Sequence, residues 1–542
     1  MKRIPPLFVA LFLSVFVAPR SEATVYYSDG SSTSVQYLHD NFAQDGDTIT
    51  LPAGTFDWTS DVRITKNITL QGQTTIGGTP QNPAINDLTM VKDDTPRSGA
   101  EAMIINVTAL RGARISGITF IPGTSTSGVA AAIHLNGGTS LVPAMQMRID
   151  HCHFAQIYSN PIWVLGWTYG VADHNVLDCR LGELSFQFWA DRYAGGANGE
   201  GAWADYPYYG TDKFFFMEDN TILTTGTSQV TGGIDCWKGG KYVARHNYFL
   251  NASPNSHGTE GGPSRGARAA EVYDNIFDWT WAQSSRELRS GGLIYHDNNW
   301  ISQGATDNAH TRTAIFREVG AIGDDLTFWG IAQGQKLWDV NDPHGLYQTG
   351  TTTSGSVGTS TGTVSDSSKN WTVNQWAGYS VTNTNPSSAC FNHGSYIISN
   401  TATTITYYYY NSGDRGAPLV FNVGDTFSIY RVFTALDQAG HGKGDLVTYD
   451  GTGHPLSPRW PNEQLEPLFS WNNVVVSSNT ALGISTGGHP TEVEGRDFYN
   501  LGIGWPPDST PQLMATTYTA AVNGVDYTRT FVYPHPLTRI PW

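Results

Sequence analysis

Three short segments of this 542-residue chain end in Gly-Gly and carry side chains that can move protons or hold charge: 234–240, 256–262 and 285–292. Aligned on their glycines, they stack Asp235, His257 and Glu287 in one column and Lys238, Glu260 and Ser290 in another, with Trp237 and Arg289 between. If the segments are strands of neighbouring coils, about 4.8 Å apart, each column falls within hydrogen-bond or Coulomb reach. An imidazole between two carboxylates is held in one tautomer and its pKa is raised. Arg265 and Arg268 follow His257, and Lys241 follows the first Gly-Gly pair. Such cations suit carboxylate recognition, with Arg able to grip bidentately.

Two reactions fit these types. In β-elimination on a uronic-acid glycoside, a base (His257, Lys238 or an Arg) removes a ring proton. Arg265 or Arg268 neutralises the adjacent carboxylate. In hydrolysis, two carboxylates from Asp235, Glu260 and Glu287 act as acid and base or nucleophile. The concentration of Lys, Arg and His favours elimination, with hydrolysis second. The plain alternative for any one of these residues is a structural ion pair at a loop base.

These segments need a scaffold, and a recurring phrase names one. Apolar residues in alternation lead to a polar residue, then Asn, any residue and a large apolar residue. The Asn position is held by Cys152, Asn175, Asn220, Asn247, Asn275 and Asn298, at steps of 23, 45, 27, 28 and 23, and returns at Asn473. A base period in the low twenties with loop-length insertions predicts a parallel β-solenoid whose stacked Asn side chains bond along a turn. One helix is expected, over residues 34–43, covering the open end and its strand edge.

Asp47-Thr48-Ile49 with Leu51-Pro52-Ala53-Gly54-Thr55-Phe56, then Lys66-Asn67-Ile68-Thr69-Leu70-Gln71-Gly72, and the Asn-x-aromatic phrases resemble the pectin lyase-like superfamily. The resemblance covers roughly residues 34–320 and resumes near 434–480. It implies an all-β, right-handed, single-stranded parallel β-helix, and a groove over the first sheet of each coil. It is specific for fold and weak for reaction, because many activities share that scaffold. The three Gly-Gly segments would then line the groove. Arg289, Glu287, Trp237, Lys241, Trp189 and Arg192 would contact substrate around the catalytic set His257, Lys238, Arg265, Arg268, Asp235 and Glu260.

Just before the ladder Asn, Asp150, Asp173 and Glu218 share one offset, and His151, His174, Asp219, His246, Asp274 and Asp297 the next. Stacked carboxylates could bind Ca²⁺. The turn stands away from the groove, so a solvated polar edge is the expectation and no cofactor is required. Tyr208 and Tyr209, with Trp203 and Tyr206, lie on a long excursion over 191–214 and could stack on sugar faces.

Composition agrees with a solenoid. Charged residues are 14% and Gly is 59 of 542, while Lys and Arg total 31 against 47 Asp and Glu, a net charge of −16. So little charge excludes a disordered chain or coiled coil. No Lys/Arg run exists to grip nucleic acid or an anionic membrane. Residues 1–23, with Lys2, Arg3, an apolar run over 7–18 and Ser21-Glu22-Ala23, read as a signal peptide of a secreted protein. Solenoid is then expected over 24–344 and 434–484, a small antiparallel β-insert over 345–433, and an extended tail over 485–542. Cys152 and Cys179 either pair or remain buried thiols. The expected protein is a secreted monomer that cleaves an anionic polysaccharide, a lyase before a hydrolase. A non-catalytic carbohydrate-binding protein on the same scaffold is the remaining reading.

Overall fold

The computed structural model describes residues 23–96, 103–124, 131–138, 142–157, 160–179, 186–189, 207–224, 233–256, 266–280, 287–288, 291–303, 311–313, 346–377, 379–391, 393–409, 418–430, 439–442, 464–465, 467–485, 494–495, 497–505 and 529–539. The stretch before residue 23, expected to be a signal peptide, lies outside them. No helix among the described residues is long and apolar enough to cross a membrane.

Alternation along each strand drives the winding. On the first sheet Ile105, Ile133, Ile162 and Ile234 are buried, as are Val107, Leu135, Val164 and Cys236, and the strand pairings stack each set into an inward column. The third sheet adds a column in which Phe120 stacks on Phe154, Phe249 on Phe277 and Phe277 on Trp300, with centroids 5.0, 5.0 and 4.7 Å apart. Offset stacking of this kind adds to burial of the rings. The result is the expected parallel β-helix, built of three long sheets named here in the order each coil meets them. Among the described residues the first has 10 strands, the second 12 and the third 11.

The Asn ladder closes the turn between the second and third sheets. Asn175 Nδ2 donates to Asn220 Oδ1, Asn220 to Asn247, Asn247 to Asn275 and Asn275 to Asn298, each at 3.0 Å, and Asn298 donates to Asn473 at 2.8 Å. Each amide also takes a backbone carbonyl of the coil before, as Asn247 Nδ2 does with Met217 O at 2.9 Å. The residue before the ladder position is left-handed in every copy, with φ of 53–57° at His151, His174, Asp219, His246, Asp274, Asp297 and Asn472. His, Asp and Asn are the side-chain-bearing residues that tolerate this region best. That conformational demand explains the residue types of the row. Asn247→Ala would strand the Asn220 amide N–H and Met217 O without water. A loss of about 2–3 kcal/mol is expected, read from the urea midpoint.

A helix spans Ser32–Asn41, capped by Ser31 Oγ accepting the Ser34 N–H. It begins two residues earlier than expected and packs on the strands Thr48–Thr50 and Val62–Ile64. Gln36 holds both backbone groups of Arg63. Leu346–Thr351 to Thr426–Tyr430 form a seven-stranded antiparallel sheet around Trp371, Ile397, Tyr407 and Phe427. All four cysteines are free, and Cys152 and Cys179 are buried thiols.

The outer face of the second sheet is also covered. Val171, Phe216, Val243, Ile294 and Phe469 form a second apolar layer with Tyr209 and Phe214 of the excursion and Leu537 of the tail. Residues 529–539 lie across this face as a strap. Arg148 Nη1 donates to Leu537 O, and Arg245 donates to Phe531 O and Val532 O.

Candidate functional site

On the first sheet, Asp235 is half-buried between fully buried Ile234 and Cys236, and Asn255 likewise between Pro254 and Ser256. Both therefore face outward from the solenoid. The pairings Trp163 with Gln187, Gln187 with Asp235, and Asp235 with Asn255 place these residues in one row. Ser256 opposes Leu288, which sets Glu287 level with Asn255, and Glu287 pairs in turn with Arg312. Gln187, Glu287 and Arg312 are placed by their backbone register. Beside this row runs a second, in which Leu165 is level with Trp189 and Trp189 with Trp237.

The row differs from the column expected from the glycines. Asp235 and Glu287 do share it, but Asn255 stands where His257 was expected. Asn255 lies six residues before Gly261, whereas Asp235 and Glu287 lie four before Gly239 and Gly291, so matching the Gly-Gly ends misplaces the middle strand by two residues. A slip of two keeps the same face, and only a slip of one would invert it. His257, Glu260, Arg265, Arg289 and Arg192 lie outside the described residues.

Two of the cations expected at the groove, Arg268 and Lys241, stand away from it. Arg268 has no exposed surface, so its guanidinium is not open to a groove-bound substrate. Lys241 belongs to the second sheet, in the strand Lys241–Arg245. Its Nζ stands 5.2 Å from the Trp167 ring, 5.2 Å from Tyr208 and 5.5 Å from Phe214, a cation held among aromatic faces. Lys238 remains beside the row, in a left-handed turn with φ 51°, its Nζ 4.6 Å over the Trp237 ring. Tyr208 and Tyr209 serve the second sheet rather than the groove, Tyr209 lying 6.1 Å from Phe214. Trp203 and Tyr206 lie outside the described residues.

The expected polar edge divides in two: the left-handed row stays partly open, with the His174 and Asp274 side chains 47% and 39% exposed, while the row before it is buried. Asp150, Asp173 and Glu218 have no exposed surface, and they continue through Arg245, Tyr273 and His296 along one row of the second sheet. Arg114 grips Asp150 with two bonds of 2.7 Å, Arg148 grips Asp173 at 2.9 and 3.0 Å, and Arg245 approaches Glu218 at 2.8 and 2.6 Å. Burial opposes ionisation of Asp150, yet Arg114, His151 and Arg148 hold its carboxyl well below the usual range. His174 is raised by its bond to Asp173. These carboxylates are committed to guanidinium groups, and among the described residues no three His, Cys, Asp or Glu side chains converge as metal ligands. These arginines were not singled out from sequence, although Arg148 sits three residues before the left-handed His151 and Arg245 one before the left-handed His246.

No protein-family model matches the chain, and no curated protein matches it. Solved structures do. An alginate lyase from Paenibacillus sp. is 13% identical, with 54% of this chain and 91% of that chain covered and a TM-score of 0.28. The enzymatically active domain of bacteriophage CBA120 tailspike protein 4 is 10% identical over 74% and 65%, at 0.29. A tailspike of Acinetobacter baumannii bacteriophage Fri1, a capsular polysaccharide depolymerase, is 10% identical over 77% and 85%, at 0.23. Overlaps of this size bear on neither reaction nor substrate.

Proposed function

We propose that this chain is a polysaccharide-cleaving enzyme acting at the first sheet, with Asp235 and Glu287 as its bond-breaking pair. The observation that carries this is their shared row, separated by Asn255 alone. Two strand spacings put their backbones about 10 Å apart. Inverting hydrolysis uses two carboxyls set roughly 6.5–9.5 Å apart with a water between them, and a backbone spacing of this order is compatible with that arrangement. Asn255 between them offers a donor and an acceptor to sugar hydroxyls. Trp237 beside the row offers a face to a sugar ring. Hydrolysis moves ahead of elimination because Arg268 is buried and Lys241 belongs to another sheet, removing two of the cations that elimination would use. Elimination keeps one specific support, Lys238 poised at the end of the Asp235 strand. Export through the 1–23 leader would bring the enzyme to its polymer.

The test is incubation with alginate, polygalacturonate, xylan and dextran. New reducing ends without the ultraviolet absorbance of an unsaturated uronate are the expected result. Appearance of that absorbance would establish elimination instead, and no product from a broad panel would overturn the enzyme reading. Asp235→Asn and Glu287→Gln should each lower kcat by about 10²–10⁴-fold while far-UV circular dichroism stays unchanged. Wild-type rates in both would remove the pair from the chemistry.

A further inference from the structure

A cleft of about 830 Å³ opens between the turn 210–212 and the strap segment 529–533. It lies against the second-sheet side of the solenoid, whereas the Asp235 row lies on the first sheet. Its volume is within the range of about 300–1,000 Å³ typical of small-molecule sites.

Both walls are fixed from below. Gly210 N–H donates to the buried Glu271 Oε1 at 2.8 Å, and Thr211 Oγ1 donates to Tyr208 O at 2.7 Å. On the other wall, Phe531 O and Val532 O accept from Arg245 at 2.6 and 3.0 Å, and the Phe531 ring packs 5.3 Å from Phe216. Walls anchored in this way need little ordering when a ligand enters, which removes a main cost of binding.

The lining is amphipathic. Val532 and Tyr533 keep 52% and 44% of their surface exposed although they are apolar and aromatic. The Tyr533 hydroxyl donates to Asp219 at 2.9 and 3.1 Å, and its ring lies 3.7 Å from His246, so the ring is locked in place. Asp212 and Arg529 are exposed at the same cleft. A pyranose presents a C–H face suited to an aromatic ring and a rim of hydroxyls suited to a carboxylate and a guanidinium. Asp212 and Arg529 offset each other in charge, so recognition would run through hydroxyls rather than through a net field.

We infer that this cleft is a second glycan-binding site, which anchors a stretch of polysaccharide away from the Asp235 row. The inference rests on the reading of the protein as a polysaccharide-cleaving enzyme. Two sites on one rigid body raise the retention of a long polymer without new contacts at either, because the second engagement is intramolecular.

The probe is the polymer of the four-polysaccharide panel that is cleaved, cast in a native gel, with Asp235→Asn as the parent protein to prevent turnover. Adding Asp212→Ala and Arg529→Ala should reduce retardation by about tenfold in apparent affinity. The ratio of kcat/KM on polymer to that on its hexasaccharide should fall when the two substitutions are made in active protein. An unchanged melting temperature shows that the strap remains docked. Retardation equal to the parent, with cleavage of the polymer intact, overturns the second site alone. Absence of both cleavage and retardation on every polymer overturns the functional reading together with it.

Discussion

Arg245→Ala is expected to destabilise the protein by about 3–5 kcal/mol, because it leaves a buried charge without its partner. Arg245 has no exposed surface. Its guanidinium donates to Glu218 Oε2, Tyr273 Oη, Phe531 O and Val532 O, and lies 4.8 Å from the Phe216 ring. It therefore joins the second sheet to the strap. Glu218, equally buried, also accepts the His535 N–H at 2.8 Å. Burial raises the Glu218 pKa even against the pull of Arg245. Removing the arginine would push that carboxyl further toward its protonated form and unseat the strap. Urea unfolding measures the loss, and limited proteolysis should show new cleavage within 529–539. The double change Arg245→Met with Glu218→Leu should recover much of the stability, since well-packed apolar replacements of a buried ion pair are often neutral. A single-variant shift below about 1 kcal/mol, the range of an exposed pair, would contradict this account.

Glu271→Gln is expected to stabilise the protein above neutral pH. Glu271 is buried in the second apolar layer, where Oε1 accepts the Gly210 N–H and Oε2 has no hydrogen-bond partner. Burial raises its pKa from 4.5 to about 7, against the weaker influence of the Gly210 bond and Arg245. The folded state thus holds this proton more tightly than the unfolded chain does. Its stability is fully present below about pH 4.5, declines as pH rises, and is lost above about pH 7. The gap corresponds to about 3 kcal/mol at pH 8. Glutamine keeps the acceptor for Gly210 and carries no charge, so the variant should exceed wild type by that order at pH 8 and match it at pH 4. His535 works in the opposite sense. Burial lowers its pKa to about 3, so its contribution is present above pH 6.5 and lost as pH falls toward 3. The difference between variant and wild type at each pH cancels this second dependence. Parallel curves at pH 4 and pH 8 would refute the assignment.

How far the chain could be read varies along it. The Asn phrases disclosed the solenoid because the ladder needs the same side chain at the same turn in every coil, a demand written at fixed offsets. The left-handed residue before each ladder position is legible too, once the preference of His, Asp and Asn for that conformation is applied. Asp150, Asp173 and Glu218 were misread as a wet edge. Nothing local announces that a strap more than 300 residues later will cover Glu218 and bring His535 onto it. The groove row was half legible. Alternation put Asp235 outward, but the level of its neighbour was set by strand pairing, which replaced His257 with Asn255.

By itself, then, the sequence of this protein determined its period, its turn chemistry and the face on which each strand residue lies, because these follow from repeats of two and of one coil. The tertiary structure alone decided which residues stand level across coils and which charges are buried. Register between strands depends on loop lengths and packing, and burial on segments distant in the chain. Neither is encoded within any one coil. That is why Asn255, and not His257, stands level with Asp235 and Glu287, and why Arg268 is buried and Lys241 lies on another sheet.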